Sequence, residues 1–270
     1  MGAQRLRNMF SQLEGRRAAL IAYATGYYPD RKTSERIVTT MLESGADAIE
    51  IGIPFTDPVM DGPVIQETSR LGLRAGATPA GILEMVESLR RVTDRPVLAM
   101  TYYNIVLRYG PESFARDAAS AGLDGLVVPD LPAEEMGELK AACDAEGIAT
   151  VAFCSQTTSP EKMALASTMT TGFLYCISLL GTTGGRDSLD PGLPGFMERV
   201  RANATVPLAV GLGISTPEQC AEASQASDGV IVGSSLMRAV ATGHEDLSGL
   251  SSLVSAMTAA LRDSGNGGGK

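Results

Sequence analysis

The sequence predicts a closed (β/α)₈ barrel of the TIM type. The chain has 270 residues, of which 44% are hydrophobic, so it can fill one large core. Eight short apolar runs alternate with longer segments of helical periodicity, a pattern typical of repeated βα units around a parallel sheet. A doubly wound open sheet is the alternative, but no GxGxxG follows the first run, and the even eightfold alternation favours closure.

The predicted strands are short apolar runs bounded by turn residues. They are Ala19–Ala24, Ala46–Ile51, Val97–Thr101, Gly125–Val128, Ala149–Phe153, Phe173–Ile177, Leu208–Val210 and Gly229–Val232. The predicted helices are Ser34–Glu43, Ala80–Arg91, Pro111–Ala121, Ala133–Glu146, Pro160–Ser167, Gly195–Arg201, Pro217–Ala226 and Ser235–Ala241. An additional helix, Gln4–Glu14, is predicted to cover the N-terminal end of the barrel.

Helix boundaries carry their own signals. Thr33 or Ser34 is the predicted cap of the first barrel helix, and Thr78 and Thr216, each followed by proline, are the predicted caps of two others. No linker divides residues 1–262, which we predict to be a single TIM-barrel domain. The glycine-rich segment 263–270 is predicted to be a disordered tail.

Composition excludes several classes of function. The net charge of −9 disfavours nucleic acid and anionic membranes as partners, so any phosphate is expected to be held locally by backbone amides. Four dispersed cysteines without a CxxC pattern predict reduced thiols in the cytoplasm rather than a zinc site. One histidine makes a histidine-based triad or metal site improbable, and no signal peptide or membrane-length apolar run is present.

Two acids stand at the end of the barrel where TIM-barrel enzymes carry their chemistry. Glu50 ends the second predicted strand, and Asp61 lies in the Gly/Pro-rich loop after it. In such a pair, one carboxyl can transfer protons while the other stays ionised. A buried acid hydrogen-bonded to backbone or tyrosine explains Glu50 equally well, and Asp61 fits a plain turn. Asp57 and Asp130 are better explained as loop-shaping residues.

Glycine-rich loops follow the last three predicted strands. They contain the segments Gly181–Gly185, Gly211–Gly213 and Gly233–Ser235. Backbone amides in such loops can approach an anion closely, and a following helix N-terminus favours negative charge. A single glycine usually marks only a turn, but three loops converging on one face predict a phosphate site. Tyr23, Tyr102, Phe153 and Tyr175 could form a flat apolar wall beside it, although aromatic residues in strands more often fill the core.

The most specific motifs are IEIGIPFTDPVMDGPVIQ at 49–66, YCISLLGTTGGR at 175–186 and PLAVGLGISTPEQC at 207–220. On these motifs the chain resembles the tryptophan synthase α-subunit family of indole-3-glycerol-phosphate lyases, from about residue 18 to 238. The resemblance implies reversible retro-aldol cleavage of indole-3-glycerol phosphate to indole and glyceraldehyde 3-phosphate, with no metal or cofactor in this chain.

The resemblance also implies roles for individual residues. Glu50 occupies the general acid/base position, and Asp61 the position of the carboxylate that accepts the indole N–H. Thr183 matches a mobile-loop threonine, and Tyr175 a tyrosine that packs near Glu50. The positions expected to bind phosphate are Gly184, Gly211, Gly213, Ile214, Gly233, Ser234 and Ser235. The positions expected to line the indole pocket are Tyr23, Ile65, Met100, Tyr102, Val127, Phe153 and Leu212.

The implied partner is a β subunit that carries pyridoxal phosphate and receives indole in an α₂β₂ assembly. Three segments depart from the family pattern and put the partner surface in doubt: YATGYYPD at 23–30, Asn104-Ile105, and GTTGG at 181–185. A stand-alone lyase that releases free indole is therefore kept as an alternative. A non-catalytic barrel that only docks to a partner, and an isomerase acting on another phosphorylated sugar, are further alternatives.

Overall fold

A computed structural model describes residues 2–177, 189–211, 213–243 and 245–266, with side chains as far as residue 264. Within these residues the sheet contains nine strands, all paired in parallel. The strands are β1 Ala19–Thr25, β2 Ala48–Gly52, β3 Val97–Met100, β4 Gly125–Val127, β5 Ala149–Val151, β6 Phe153–Ser155, β7 Leu174–Ile177, β8 Leu208–Gly211 and β9 Gly229–Val232.

The sheet closes into a barrel. Its strand order is β5-β4-β3-β2-β1-β9-β8-β7-β6, and the two end strands are consecutive in the chain, separated only by Ala152. The predicted fifth strand is therefore two short strands. The backbone at the break remains hydrogen-bonded, because the Ala152 N–H donates to Thr170 Oγ1 at 3.1 Å and its carbonyl accepts from the Tyr175 N–H at 2.9 Å. The predicted TIM barrel is confirmed.

The described residues contain twelve α-helices. They are α1 Gly2–Leu13, α2 Arg31–Glu43, α3 Pro63–Arg74, α4 Pro79–Arg90, α5 Tyr103–Tyr109, α6 Pro111–Ala121, α7 Gly137–Glu146, α8 Pro160–Met169, α9 Leu193–Asn203, α10 Pro217–Ser224, α11 Ser234–Gly243 and α12 Ser248–Asn266. A short 3₁₀ turn, Ala133–Glu135, precedes α7, so the predicted helix Ala133–Glu146 is divided in two. No helix in the described ranges has both the length and the apolar character needed to cross a bilayer.

Two predicted caps are confirmed and one is wrong. Thr78 accepts from the Gly81 N–H at 3.1 Å, and Thr216 accepts from the Gln219 N–H at 3.3 Å. The first barrel helix instead begins at Arg31, because the Asp30 side chain accepts from the Thr33 N–H at 2.9 Å. An Asp cap supplies the same kind of acceptor three or four residues earlier than the sequence predicted.

Three helices, α3, α5 and α12, are absent from the prediction. The buried face of α3 consists of Ile65, Thr68, Ser69 and Gly72, so its helical spacing is carried mainly by small or polar residues. The last helix, α12, packs against α10 and α11 and reaches Asn266. It thus includes the first four residues of the segment for which the sequence predicts disorder, and residues 267–270 lie outside the described residues.

Helix α1 closes the N-terminal end of the barrel, as predicted. Leu6 is fully buried, and Phe10 packs against Phe173 with ring centroids 5.9 Å apart. Both belong to the cluster that fills the barrel interior, which also contains Leu98 and Ile231. A separate layer of apolar side chains fills the space between the strands and the surrounding helices.

Leu6→Ala is expected to lower the free energy of unfolding by roughly 2–4 kcal/mol, because it removes a buried side chain and leaves a cavity at the base of the barrel. Urea denaturation of the purified chain measures this change. Val92→Ala is the matched control, because Val92 is 69% exposed and its truncation leaves no internal cavity. Equal stability of the two variants would show that α1 does not contribute to the barrel core.

Candidate active site

The C-terminal ends of the strands surround a cavity of about 1130 Å³, including its opening to solvent. Residues from β1, β2, β3, β6, β7 and β9 line the cavity, together with the loop after β2 and the start of α11. The cavity therefore lies on the face where barrel enzymes place their catalytic groups.

Glu50 lies at the floor of this cavity. It is the third residue of β2, paired in register with Tyr23 of β1 and Leu98 of β3, and it is 1% exposed. Its Oε2 atom has no hydrogen-bond partner among the residues that the structure describes. An unpaired buried polar atom costs roughly 1–3 kcal/mol, so a carboxyl held only for structure would be expected to have a partner. This geometry favours a functional carboxyl over the structural acid that the sequence left open.

Asp61 lies on the wall beside Glu50, carried by the loop between β2 and α3. A turn holds this loop, because the Asp61 N–H donates to the Pro58 carbonyl at 3.0 Å and the Asp61 carbonyl accepts from Gln66 at 2.9 Å. The Tyr102 hydroxyl donates to the Asp61 carboxylate and accepts from the Met60 N–H at 3.1 Å. Tyr102 thus fixes both the loop and the carboxylate from one side.

Burial separates the protonation states of the two acids. Removal from water, with a smaller contribution from the Asp61 charge, raises the pKa of Glu50 to about 8. Burial also raises the pKa of Asp61, to about 6, and the hydrogen bond from Tyr102 opposes this rise. Near pH 7 Glu50 is therefore mostly protonated and Asp61 mostly ionised, the division expected of an acid and an electrostatic stabiliser.

Aromatic and aliphatic side chains form the remaining wall of the inner cavity. The rings of Phe153 and Tyr175 stack with centroids 4.7 Å apart, and Tyr23 also lines the cavity. Ile65 and Met100 complete an apolar surface around the acids. The inner cavity therefore suits a flat apolar ring that carries one polar group.

The outer part of the cavity is formed by the segments after β8 and β9. Gly213, Ile214, Gly233 and Ser234 line it, and Gly213 has a φ of +81°, which glycine adopts without strain. Ser234 begins α11, whose first-turn N–H groups have no partner inside the helix. These amides and the helix dipole favour an anion at this end.

Four predicted site residues do not line the cavity. Val127 is fully buried in the barrel-interior cluster, and Tyr102 acts from behind Asp61. Gly211 leaves room for the Tyr175 ring, because a Cβ at this position would overlap it, and Ser235 is buried with its hydroxyl donating to the Ile214 carbonyl at 3.4 Å. Thr183, Gly184 and Leu212 lie outside the described residues.

Cavity-lining residues that sequence reasoning missed include Met60, Pro129, Ile177, Ser215 and Arg238. Arg238 had a usable signal, because it lies four residues after Ser234 and therefore on the same face of a helix.

Of the two acids interpreted as loop-shaping, Asp130 accepts from the Tyr103 N–H at 2.8 Å and so holds the start of α5. Asp57 accepts from the Thr56 hydroxyl at 2.6 Å on the exposed loop.

Comparison with known proteins decides the family. The family model described as tryptophan synthase alpha chain matches residues 10–262. The chain belongs to the tryptophan synthase alpha chain family. The resemblance inferred from the motifs is confirmed, and membership makes the chain a lyase of tryptophan biosynthesis.

Individual relatives match over nearly their whole length. The alpha chain of Geobacter sp. (strain M21) is 42% identical over 235 residues, which cover 87% of this chain and 88% of the relative. That of Geotalea daltonii is 39% identical over 260 residues, covering 95% and 98%.

Solved structures show the same architecture. A tryptophan synthase structure from Mycobacterium tuberculosis superposes with a TM-score of 0.89 at 37% identity, covering 96% of this chain and 98% of the other. The alpha subunit from Legionella pneumophila gives 0.87 at 32% identity, covering 96% and 98%.

Proposed function

We propose that the cavity binds indole-3-glycerol phosphate and cleaves it to indole and glyceraldehyde 3-phosphate, with Glu50 as general acid and base. The observation that carries the proposal is the buried Glu50 carboxyl, which lacks a partner for Oε2 among the described residues and opens into the same cavity as Asp61. The apolar inner wall would hold the indole ring against these two acids.

The reaction needs one proton to arrive at the ring and one to leave the glycerol. Protonated Glu50 donates its proton to indole C3, and the indolenine cation that results is stabilised by the Asp61 carboxylate at the ring N–H. The Glu50 carboxylate then takes the proton of the glycerol hydroxyl. As the C–C bond breaks, its electron pair returns to the ring and the hydroxyl carbon becomes the aldehyde. Glu50 ends the cycle protonated, as it began.

The glycine-rich end of the cavity would hold the phosphate. Gly213 and Ile214 on one segment, and Gly233 and Ser234 on the next, would supply backbone amides, with Ser235 supporting the Ile214 carbonyl. Thr183 would close over the substrate and help to position Asp61, Gly184 would add an amide to the phosphate, and Leu212 would contact indole. These last three assignments rest on the family motif.

The same proposal extends to an assembly. We place the chain in an α₂β₂ complex whose β subunit carries pyridoxal phosphate, and in the cytoplasm. Val59, Met60 and Leu107 support a partner surface, because these exposed apolar side chains are carried by the segments that follow β2 and β3 on the cavity side. The four cysteines are free and buried, which fits a reducing compartment.

The test is an assay for indole released from indole-3-glycerol phosphate by the purified chain, with and without a β subunit. Strong activation on mixing is the expected result and would argue against a stand-alone lyase. High turnover by the chain alone, unchanged on mixing, would instead support the stand-alone alternative. Absence of indole under both conditions would overturn the proposed reaction and favour a docking barrel or another phosphate-sugar enzyme.

A further inference from the structure

Arg238 lies at the outer part of the cavity without an assigned role. It lines the same space as Gly213, Gly233 and Ser234, and its side chain is exposed to the cavity and solvent. Among the cavity-lining residues that the structure describes, it is the only cationic one. It forms no ion pair within the described ranges, where eleven other pairs are found. Its charge is therefore available to a ligand.

The position of Arg238 in α11 directs this charge to the outer part of the cavity, where backbone amides are also available. Arg238 follows Ser234 by four residues, about one helical turn, so the two share one helix face. The first-turn amides of α11 and the Arg238 guanidinium thus border the same end. Backbone amides offer directional hydrogen bonds and only a partial positive charge. A guanidinium offers a full positive charge and paired N–H donors that suit phosphate oxygens.

The charges in the rest of the cavity make such a cation favourable for binding a phosphorylated ligand. The inner end contains Glu50 and Asp61, and the chain as a whole has a net charge of −9. A phosphate dianion approaching this site is repelled by the overall field and by ionised Asp61. One cation at the outer end lowers this cost.

We infer that Arg238 binds the substrate phosphate and sets both the preference for a phosphorylated substrate and the direction in which it enters. The inference rests on the proposed function and deepens it by naming a side chain where the sequence predicted backbone amides alone. With the phosphate drawn to Arg238, the ring enters first and reaches the two acids.

Arg238→Gln is expected to raise KM for indole-3-glycerol phosphate about tenfold, the effect of losing one charge-assisted contact at a solvent-facing site. We expect kcat to change little, because the reacting atoms lie at the other end. The salt dependence of kcat/KM is expected to weaken in the variant, and Arg238→Lys is expected to restore most of both effects. Steady-state kinetics at several ionic strengths measure all three quantities.

Two controls isolate the phosphate contact. Arg262→Gln removes an exposed arginine outside the cavity and is expected to leave KM and its salt dependence unchanged. Indoleglycerol without phosphate is expected to react equally slowly with the parent chain and with Arg238→Gln. Equal KM and salt dependence for the parent chain and Arg238→Gln on the phosphorylated substrate would overturn the inference while leaving the proposed reaction intact.

Calorimetric titration with glyceraldehyde 3-phosphate separates failure of the inference from failure of the proposed function. Weaker binding to Arg238→Gln than to the parent chain supports the phosphate contact even if the parent chain releases no indole. Equal binding to the two proteins contradicts it.

Discussion

Glu50→Gln is expected to lower kcat for indole release by at least about 10³-fold, because one side chain both delivers the proton to C3 and removes the hydroxyl proton. Glutamine has nearly the same shape but can do neither. KM is expected to change little, since the phosphate end and the apolar wall are untouched. Single-turnover assays with indole-3-glycerol phosphate measure the chemical step directly.

The same substitution is expected to stabilise the fold at alkaline pH. The pKa of Glu50 is about 8 when folded and near 4.5 when unfolded, so between these values the folded state binds more protons. The contribution of Glu50 to the stability of the parent chain therefore falls as pH rises from about 4.5 to about 8, by roughly 3–5 kcal/mol, and Glu50→Gln lacks this loss. Denaturant titrations at pH 5 and pH 9 compare the two proteins.

A matched control is Glu138→Gln, which makes the same chemical change on the exposed face of α7. It is expected to keep parent activity and the parent pH dependence of stability. An active Glu50→Gln chain would remove Glu50 from the mechanism. Circular dichroism and phosphate binding accompany the assay to show that the variant is folded, and an unfolded variant would contradict the expected stabilisation.

The sequence predicted the barrel and the location of its acids because both follow from local patterns. Short apolar runs bounded by turn residues and proline-led helix starts are visible in single segments, and barrel topology brings the loop after β2 to the same face as Gly213 and Gly233. The choice between a structural and a functional role for Glu50 required the structure. Only the coordinates separate a carboxyl with a hydrogen-bond partner from one whose Oε2 has none among the described residues.

Other features depend on tertiary contacts that no local pattern records. The break at Ala152 occurs inside the run that the sequence predicts as one strand, and there the Thr170 hydroxyl, from another element, accepts a hydrogen bond from the Ala152 N–H. Helix α3 was missed because it packs closely through Ser69 and Gly72 rather than through large apolar residues. Arg238 was missed although its spacing from Ser234 places both residues on one helix face, because a lone arginine on a helix is usually a solvated charge and only the fold shows that it faces a cavity.

Asp61→Asn is expected to lower kcat by about 10²- to 10³-fold, the usual effect of removing a group that stabilises charge in the transition state. The amide can still accept the hydrogen bond from Tyr102, so the loop is expected to hold its conformation. What is lost is the negative charge beside the indole nitrogen. Steady-state and single-turnover kinetics across pH 5 to 9 measure this loss.

The pH profile distinguishes this role from a structural one. In the parent chain activity is expected to rise as Asp61 ionises near pH 6 and to fall as Glu50 loses its proton near pH 8. The variant should lack the acidic limb. Its alkaline limb should move to lower pH, because the Asp61 charge is one of the causes that raise the pKa of Glu50. Asp57→Asn, on the exposed part of the same loop, should keep both limbs in place. An Asp61→Asn profile with the parent's acidic limb would mean that a different group ionises near pH 6, and Asp61 would then serve only to shape the loop.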